Sequence, residues 1–468
     1  MNENAEKAFP MRIVPEISLT LEEIAEITDS NSKGFGKKAI NGITTNSKEV
    51  CQGDLFIALK GERFNGEDFV NEANIRGAYI LSSENKSADF KVNDTLSALV
   101  KIASYYKTKL PKLKKTVAIT GSVGKTTTKN ILSKMLSVNF KVHATKENYN
   151  NFLGLSHTIL TAPKNTEIII AEVGMNHLGE ISVLSKALLP DVSIITNIGT
   201  AHIGNLGSRE KIAEAKLEIL SGMKEYKITV PFEEELLRGV KGSYTVSLTN
   251  PKADCFISLK KEDVYSSVFD IFTVNSFFEN VKISLPGKHV LWAIGHSIGA
   301  IELLNLDIPN ITKSISVLDE KCVRGNLINI NGYKIFDDTY SSSPEAIIAD
   351  FQLLSLRNTQ KSCVLGDMLE LGNKSEKLHK KIGHAVVEYN FRNLYTFGKL
   401  SSFIAKGALE AGMKKENIFI NPDISSPETT AKQIIDNYFD GETLLFKASH
   451  SIHAERIYDC LKSASKKT

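Results

Sequence analysis

The stretch VAITGSVGKTTTKNIL, residues 117–132, decides the fold at the centre of the chain. It begins as an apolar strand at Val117–Ile119, passes through two glycines, and continues with the helical pattern Thr126–Leu136. Glycines let backbone amides approach an anion closely, and the amides of a helix N-terminus then face that anion. The sequence therefore predicts a phosphate-binding loop between a buried strand and a helix.

This glycine loop is predicted to hold the phosphates of ATP. Lys125 supplies a positive charge for the phosphates, and the hydroxyl of Thr126 is placed to bind Mg²⁺. The spacing is G-x-x-G-K-T rather than the longer G-x-x-x-x-G-K-[ST], because position 119 is Ile. The other interpretation is a glycine-rich turn with an exposed lysine, which the flanking strand and helix disfavour. The predicted nucleotide contacts are Gly121, Ser122, Val123, Gly124, Lys125, Thr126 and Thr127.

The pattern around the loop is that of an α/β protein. Uninterrupted apolar runs recur at Ile168–Ala171 and Val192–Ile195, with helix-like stretches between them. Such alternation is typical of a parallel sheet covered on both faces. Residues 226–286 are rich in strands, and Asn331-Gly332 predicts a two-residue hairpin, after which strands and helices alternate again.

These patterns predict three domains. Residues 1–112 form a smaller N-terminal α/β unit that ends in a lysine-rich linker containing Pro111. Residues 113–308 form a central parallel-sheet domain that binds the nucleotide. Residues 309–468 form a C-terminal doubly wound, Rossmann-like domain.

Composition excludes several classes of function. The 468 residues suit about two to four domains. Lys+Arg number 57 and Asp+Glu 54, and this balance gives no case for nucleic-acid or membrane-surface binding. The five cysteines include no C-x-x-C pair, which argues against a zinc site or a disulfide framework. With no signal-like apolar core in residues 1–18 and no run of about 18 apolar residues, we expect a soluble, cytoplasmic protein.

Three charged or imidazole side chains accompany the predicted sheet edge. Glu172 directly follows the strand Ile168–Ala171, where a carboxylate can hold the metal of a bound nucleotide. His202 follows the next strand, although a histidine in such a loop is more often structural. Lys216 lies on the apolar side of the helical stretch Ser208–Met223. It either snorkels to water, has a buried partner or is chemically modified.

Together these pieces resemble the Mur ligases, most closely the branch that adds D-alanyl-D-alanine to UDP-N-acetylmuramoyl-tripeptide. The order and spacing of the motifs make this resemblance far more specific than any single motif. The matching stretches are GDLFIALKGERFNGEDF (53–69), AITGSVGKTTTKNIL (118–132), TKENYNNFLGLSHTIL (145–160), AEVGMNHLGEISVL (171–184), TNIGTAHIGNLGSREKIAEAKLEIL (196–220), FDDTYSSSP (336–344) and VLGDMLELG (364–372).

The resemblance implies roles for individual residues. Lys125 would hold the β- and γ-phosphates, and Thr126 with Glu172 would bind one Mg²⁺. His202 would bind a second Mg²⁺ together with Lys216, which would be carbamylated. From the third domain, Arg324 and Asp338 would reach the nucleotide. The implied substrate contacts are Ser47, Lys48, Asn150, Asn151 and Asp367.

The implied reaction is ATP-dependent amide-bond formation in peptidoglycan precursor synthesis. The tripeptide carboxylate becomes an acyl phosphate, which the amine of D-alanyl-D-alanine then attacks. We expect small-molecule substrates, a cytoplasmic monomer, and closure of the domains before reaction.

Several substrate-side positions depart from the family pattern. Lys48 in place of an arginine keeps the charge but loses a bidentate contact, and Val290 in place of an asparagine loses an amide. The altered runs are 46–48, 65–68, 289–290, 340–344 and 447–450.

These changes keep alternatives open. One is a related ligase with another amino acid or acceptor, including folylpolyglutamate synthesis. Another is a non-catalytic homologue that senses a UDP-sugar or ATP. The presence of Lys125, Glu172, His202 and Lys216 argues against such a sensor.

Overall fold

The computed structural model describes residues 12–30, 36–61, 64–306, 308–357 and 359–463. Three separate sheets of four, nine and six strands follow one another along the chain. Helices lie between many of their strands, so the fold is α/β as the sequence predicts. The sequence predicts no signal-peptide core in residues 1–18. Residues 1–11 of this stretch lie outside the described residues. Within the described ranges, none of the helices is long and apolar enough to cross a membrane.

The first sheet has four parallel strands in the order β1-β2-β3-β4. The strands are β1 (Ile43–Thr44), β2 (Leu55–Ile57), β3 (Tyr79–Ser82) and β4 (Phe90–Lys91). The helices of this segment are α1 (Leu21–Ile27), α2 (Val70–Ile75) and α3 (Thr95–Thr108). The buried Tyr106 of α3 donates its hydroxyl to the carbonyl of Ala162 at 3.2 Å, so α3 joins the first segment to the central one.

The second sheet has nine strands in the order β13-β12-β11-β10-β9-β8-β5-β7-β6. The strands are β5 (Lys115–Thr120), β6 (Val142–Ala144), β7 (Ile168–Glu172), β8 (Val192–Ile195), β9 (Ile228–Pro231), β10 (Ser243–Ser247), β11 (Cys255–Glu262), β12 (Ser267–Thr273) and β13 (Phe277–Ile283). The helices are α4 (Lys125–Leu136), α5 (Phe152–Leu160), α6 (Glu180–Leu188), α7 (Ile203–Leu206), α8 (Arg209–Leu217) and α9 (Lys288–Leu304).

The sequence predicts a parallel sheet for this segment, and most of the sheet is parallel, with an antiparallel edge. Neighbouring strands run parallel from β6 across to β11, but β12 is antiparallel to both β11 and β13. The connections after β11 and β12 are short hairpin loops, which leave no room for the crossover that a parallel pair needs. Residues 226–286 therefore extend a parallel sheet with an antiparallel edge.

Strand register brings the functional loops to one edge of the central sheet. Ile119 of β5 pairs with Glu172 of β7, and Thr120 of β5 pairs with Ile195 of β8. The carboxyl ends of these three strands therefore lie side by side. The glycine loop, the side chain of Glu172 and the segment that leads to His202 all begin at this edge.

The third sheet has the order β14-β15-β19-β16-β17-β18 and is parallel apart from the hairpin β14–β15. Asn331 and Gly332 have φ values of +48° and +85°, as a two-residue hairpin turn requires, so the predicted hairpin is confirmed. The strands are β14 (Asn326–Ile330), β15 (Tyr333–Asp338), β16 (Lys361–Gly366), β17 (Leu394–Phe397), β18 (Ile418–Asn421) and β19 (Thr443–Lys447). The helices are α11 (Pro344–Ser355), α12 (Ser375–Glu388), α13 (Ser402–Glu410), α14 (Pro427–Asn437) and α15 (Arg456–Ser463).

The hydrophobic cores extend across the three segments. One cluster of buried residues includes Tyr106, Ile159 and Ile347, one from each segment. The helix α10 (Ile311–Ser316) contributes Ile315 to the core of the central sheet. The predicted domain boundaries at 112/113 and 308/309 stay predictions.

Candidate active site

A cavity of about 910 Å³ lies between the carboxyl edge of the central sheet and the third segment. Its size is at the upper end of the range typical of small-molecule sites. The predicted residues that line it are Ser122, Val123, Gly124, Lys125, Thr126, Thr127, Asn150, Asn151, Glu172, His202, Arg324 and Asp338. The predicted residues that are not among its lining are Ser47, Lys48, Gly121, Lys216 and Asp367.

The end of β8 fixes the shape of the glycine loop. The side-chain oxygen of Asn197 accepts hydrogen bonds from the backbone N–H groups of Ser122 and Val123, each at 3.0 Å. A Cβ atom on Gly121, whose φ is +150°, would lie only 1.8 Å from the hydroxyl of Thr196. Glycine is therefore required at position 121 by this close approach. Asn197 was not among the predicted residues, although a polar residue at the end of a strand at this edge of the sheet was a signal for it.

Lys125 folds back onto its own loop. Its Nζ donates to the carbonyl of Gly121 at 2.8 Å, and the carbonyl of Ser122 lies at 3.5 Å. Burial lowers the pKa of Lys125 to about 8, and the nearby carboxylate of Glu172 opposes this shift. Like the carboxylate of Glu172, a phosphate group beside Lys125 would raise its pKa and favour the charged form of the amine.

Glu172 is a buried carboxylate that accepts no side-chain hydrogen bond. Its side chain is 1% exposed, and neither carboxylate oxygen has a hydrogen-bond partner among the described residues. Lys129, one helical turn after Lys125, lies 3.5 Å from Glu172 Oε1 and donates to the carbonyl of Thr145 at 2.6 Å. Burial lowers the pKa of Lys129 while Glu172 raises it. Lys129 was not among the predicted residues, and its i+4 spacing from Lys125 was the signal for it.

Arg324 reaches the glycine loop from the third segment. Its Nη2 donates to the hydroxyl of Thr126 at 2.5 Å, and its guanidinium lies 4.4 Å from the centre of the Tyr340 ring. The guanidinium of Arg324 therefore lies beside the hydroxyl of Thr126, which the sequence predicts to bind Mg²⁺. Arg324 occupies a position from which it can also contact phosphates bound to the loop.

His202 and Lys216 differ in their surroundings. His202 has a left-handed backbone with φ +62°, and its Nδ1 is in ion-pair contact with the carboxylate of Glu370. Lys216 is only 2% exposed, and among the described residues no carboxylate lies within ion-pair distance of it. Burial lowers the pKa of Lys216 well below its ordinary value, and the neighbouring charge of Lys125 lowers it further. The lysine therefore does not snorkel to water.

The helix of Lys216 is shorter than the sequence predicts. The α-helix ends at Leu217, and Glu218–Gly222 continue as a 3₁₀ turn, at the end of which Gly222 packs against the backbone of Ser185 with no room for a side chain.

Comparison with known proteins identifies the family. Residues 119–299 match the family described as Mur ligase middle domain, and residues 39–109 match the family described as Mur ligase family, catalytic domain. The UDP-N-acetylmuramoyl-tripeptide–D-alanyl-D-alanine ligase of Bacillus subtilis is 35% identical over 94% of this chain and 98% of its own length. The chain belongs to the Mur ligase family.

Solved structures agree with this assignment. The crystal structure of MurF from Acinetobacter baumannii superposes with a TM-score of 0.86 at 27% identity, over 96% of this chain and 100% of that one. The structure of MurF ligase from Thermotoga maritima in complex with ADP gives a TM-score of 0.79 at 30% identity, over 91% and 98% of the two chains.

At the far end of the cavity, this Mur ligase has a buried charge cluster. Lys447 is 2% exposed, contacts the carboxylate of Asp338 and lies 3.0 Å from Asp350. Burial lowers the pKa of the neighbouring His289 to about 4, so its ring is neutral at pH 7. Val290, where the family pattern has an asparagine, is fully buried in the core of the central sheet. His289 lines the cavity, whereas the adjacent Val290 is not among its lining residues.

The remaining predicted substrate residues have structural partners in the ligase. The hydroxyl of Ser47 donates to Glu72 at 2.8 Å, while the neighbouring Lys48 is exposed. Asn151 accepts from the backbone of Gly154 at 2.9 Å and so caps α5. These contacts show how the side chains are held; the substrate contacts of Ser47, Lys48, Asn150 and Asn151 stay predictions.

Asp367 is also held by the protein. It is 7% exposed and accepts a hydrogen bond from the backbone N–H of Ser401 at 2.6 Å. His379 is fully buried, accepts from the backbone N–H of Met368 at 3.0 Å and donates to the carbonyl of Ser375 at 2.8 Å. His379 therefore has the structural role that a helix position favours.

We expect Lys129→Met to lower the free energy of unfolding by about 3–5 kcal/mol, because it leaves the buried Glu172 without its ion-pair partner. Urea unfolding measures the change. Lys134→Met is the matched control on the same helix; its half-exposed pair with Asp319 contributes at most about 1 kcal/mol. Added Mg²⁺ and ADP should reduce the loss in the free energy of unfolding that Lys129→Met causes. Equal destabilisation by both variants would contradict the importance of the buried pair.

Proposed function

We propose that this Mur ligase joins D-alanyl-D-alanine to UDP-N-acetylmuramoyl-tripeptide at the expense of ATP, in the synthesis of peptidoglycan precursors and hence in cell-wall growth and division. The observation that carries the proposal is the 35% identity to the Bacillus subtilis ligase of that name, which extends over 94% of this chain. The ADP bound to the Thermotoga maritima relative supports ATP as the nucleotide.

The proposed reaction has two steps. A carboxylate oxygen of the tripeptide attacks the γ-phosphorus of ATP, the bond to the β-phosphate oxygen breaks, and ADP leaves. The amine nitrogen of D-alanyl-D-alanine then attacks the carbonyl carbon of the acyl phosphate. The bond to phosphate breaks, the amine loses a proton, and the amide is complete.

The chain's own cations and amides fit the charge that this reaction develops. Lys125 and the N-terminal amides of α4 bind the phosphates of ATP, and Arg324 contacts them from the third segment. Asp338 accepts hydrogen bonds from the nucleotide at the other end of the cavity. Because Arg324 and Lys125 belong to different segments, a nucleotide bound to both holds the two segments together, which excludes water from the acyl phosphate.

The oxygen donors beside the loop suit Mg²⁺. Neither buried carboxylate oxygen of Glu172 accepts a hydrogen bond from the described residues, and the hydroxyl of Thr126, in the first turn of α4, lines the same cavity. Hard oxygen ligands of this kind are what Mg²⁺ prefers. A bound Mg²⁺ would offset the negative charge of the phosphates. We assign the first ion to Thr126 and Glu172 and the second to His202 and a carbamylated Lys216.

Carbamylation of Lys216 fits its surroundings. A neutral amine nitrogen attacks the carbon of CO₂, the new N–C bond forms, and one proton leaves. Burial favours the neutral amine that this reaction requires. Carbamylation would also place a negative charge beside the positive charge of Lys125, whereas a protonated Lys216 would be repelled by it.

The other substrates and the location complete the proposal. We assign UDP to the N-terminal segment around Ser47 and Lys48, and the dipeptide to the side of the cavity near Asp367. All five cysteines are free thiols, which suits a reducing compartment, so we place the reaction in the cytoplasm.

With ATP and Mg²⁺, the purified protein should release phosphate only when both UDP-N-acetylmuramoyl-tripeptide and D-alanyl-D-alanine are present. The dependence is expected because the amine is required to complete each turnover. Phosphate release and mass spectrometry of the product measure it. Lys125→Ala serves as the inactive control, and phosphate release at the same rate without the dipeptide would exclude the proposed function.

Lys216→Ala should lower kcat by at least about 10²–10³, because the variant lacks a group that offsets charge in the reaction. Added bicarbonate should not restore activity. Lys211→Ala is the control on the same helix, since Lys211 is exposed and its ion-pair partner among the described residues is the exposed Glu214. Full activity of Lys216→Ala, measured by phosphate release, would refute the carbamate role.

A further inference from the structure

The loop that carries His202 is held from the third segment at three points. Thr200 donates its backbone N–H to Glu345 Oε1 at 2.9 Å and its hydroxyl to Glu345 Oε2 at 3.2 Å. The backbone N–H of Gly204 donates to the carbonyl of Glu370 at 2.8 Å. Between these two points, His202 Nδ1 contacts the carboxylate of Glu370. The position of His202 therefore depends on the third segment as well as on its own.

Two glycines let the backbones of the segments meet at this place. A Cβ atom on Gly204 would lie 2.5 Å from the nitrogen of Gly372 and 2.6 Å from the carbonyl oxygen of Glu370. A Cβ atom on Gly372 would lie 2.8 Å from the Cα of Gly204. No side chain fits at either position unless the backbones move apart.

The two residues in contact both have unusual backbones. His202 has φ +62° and Glu370 has φ +61°, the left-handed region that residues with a side chain rarely adopt. Such conformations persist only where surrounding contacts over-determine them. Here the surrounding contacts are those between the two segments.

We infer that Glu370 is a positioning residue for His202, which it aligns for a divalent cation only when the third segment is docked. Histidines that bind metals almost always donate their second ring N–H to a carboxylate or carbonyl, which sets the tautomer and the orientation of the ring. The carboxylate of Glu370 lies against Nδ1, so Nε2 is the ring nitrogen left for the cation. The inference rests on the proposed function, because it requires a second ion at His202.

The inference separates the two proposed ions. Thr126 and Glu172 lie within the central segment, and their side-chain partners among the described residues are Arg324 and Lys129 rather than Glu370. Loss of Glu370 should therefore weaken the ion at His202 and leave the other ion and the nucleotide in place. A purely structural role of Glu370 would affect both ions or neither.

Mn²⁺ binding, followed by electron paramagnetic resonance with a non-hydrolysable ATP analogue, tests the inference. The wild-type enzyme should bind two Mn²⁺ ions. Glu370→Ala should bind one of them about 10–100-fold more weakly and leave the other unchanged. Glu376→Ala is the matched control, because Glu376 lies in the same segment with an exposed side chain paired to Lys380. It should bind both ions as the wild type does.

Gly204→Ala provides a second variant that retains both Glu370 and His202. Because its new Cβ pushes the backbones apart, it should weaken the same ion, and its melting temperature shows that the protein is folded. Two ions bound equally well by Glu370→Ala and Gly204→Ala would overturn the inference while the proposed reaction stands. Fewer than two ions in the wild type would overturn both the inference and the two-ion part of the proposed function.

Discussion

The carboxylate of Glu172 is buried at the end of a central strand, and a buried carboxylate requires a positive charge close to it. Strand register fixes its position, because Glu172 pairs with Ile119 just before the glycine loop begins. The helix that starts at this loop then brings Lys125 and Lys129 to the same carboxylate from successive turns. The phosphate-binding loop and the carboxylate of Glu172 are thus parts of one arrangement of charges. The carboxylate oxygens of Glu172, which accept no hydrogen bond from the described residues, make the site suitable for a cation.

The third segment completes this arrangement from the opposite side. Arg324 contacts the hydroxyl of Thr126, and Glu370 contacts His202. Both contacts join segments that are far apart in the sequence. The site is therefore a property of the docked segments, which explains why a reaction with a water-sensitive acyl phosphate is placed between them rather than within one sheet.

The sequence was sufficient for the local parts of this structure. The loop at 121–127 and the hairpin at Asn331-Gly332 are each set by a few neighbouring residues, and both form as the residue pattern predicts. The cavity also contains most of the residues implied by the family resemblance. These features depend on backbone conformation and on strand order, which short motifs encode.

The parts that the sequence analysis missed depend on long-range contacts. Asn197 shapes the glycine loop from 75 residues away, and Glu370 reaches His202 from the third segment. The antiparallel edge of the central sheet depends on which strands pair, which alternation alone does not settle. Lys216 is buried as its apolar surroundings suggest, but its α-helix ends at Leu217 and continues as a 3₁₀ turn whose last residue, Gly222, packs against the backbone of Ser185.

The central claim is that the ligase forms an acyl phosphate from the tripeptide carboxylate. It is tested most directly by labelling that carboxylate with ¹⁸O and analysing the phosphate released in a single reaction by mass spectrometry. Attack of the carboxylate on ATP predicts one ¹⁸O atom in each phosphate, because the oxygen that bonds to phosphorus leaves with it. Phosphate without ¹⁸O, formed together with the amide product, would contradict the account.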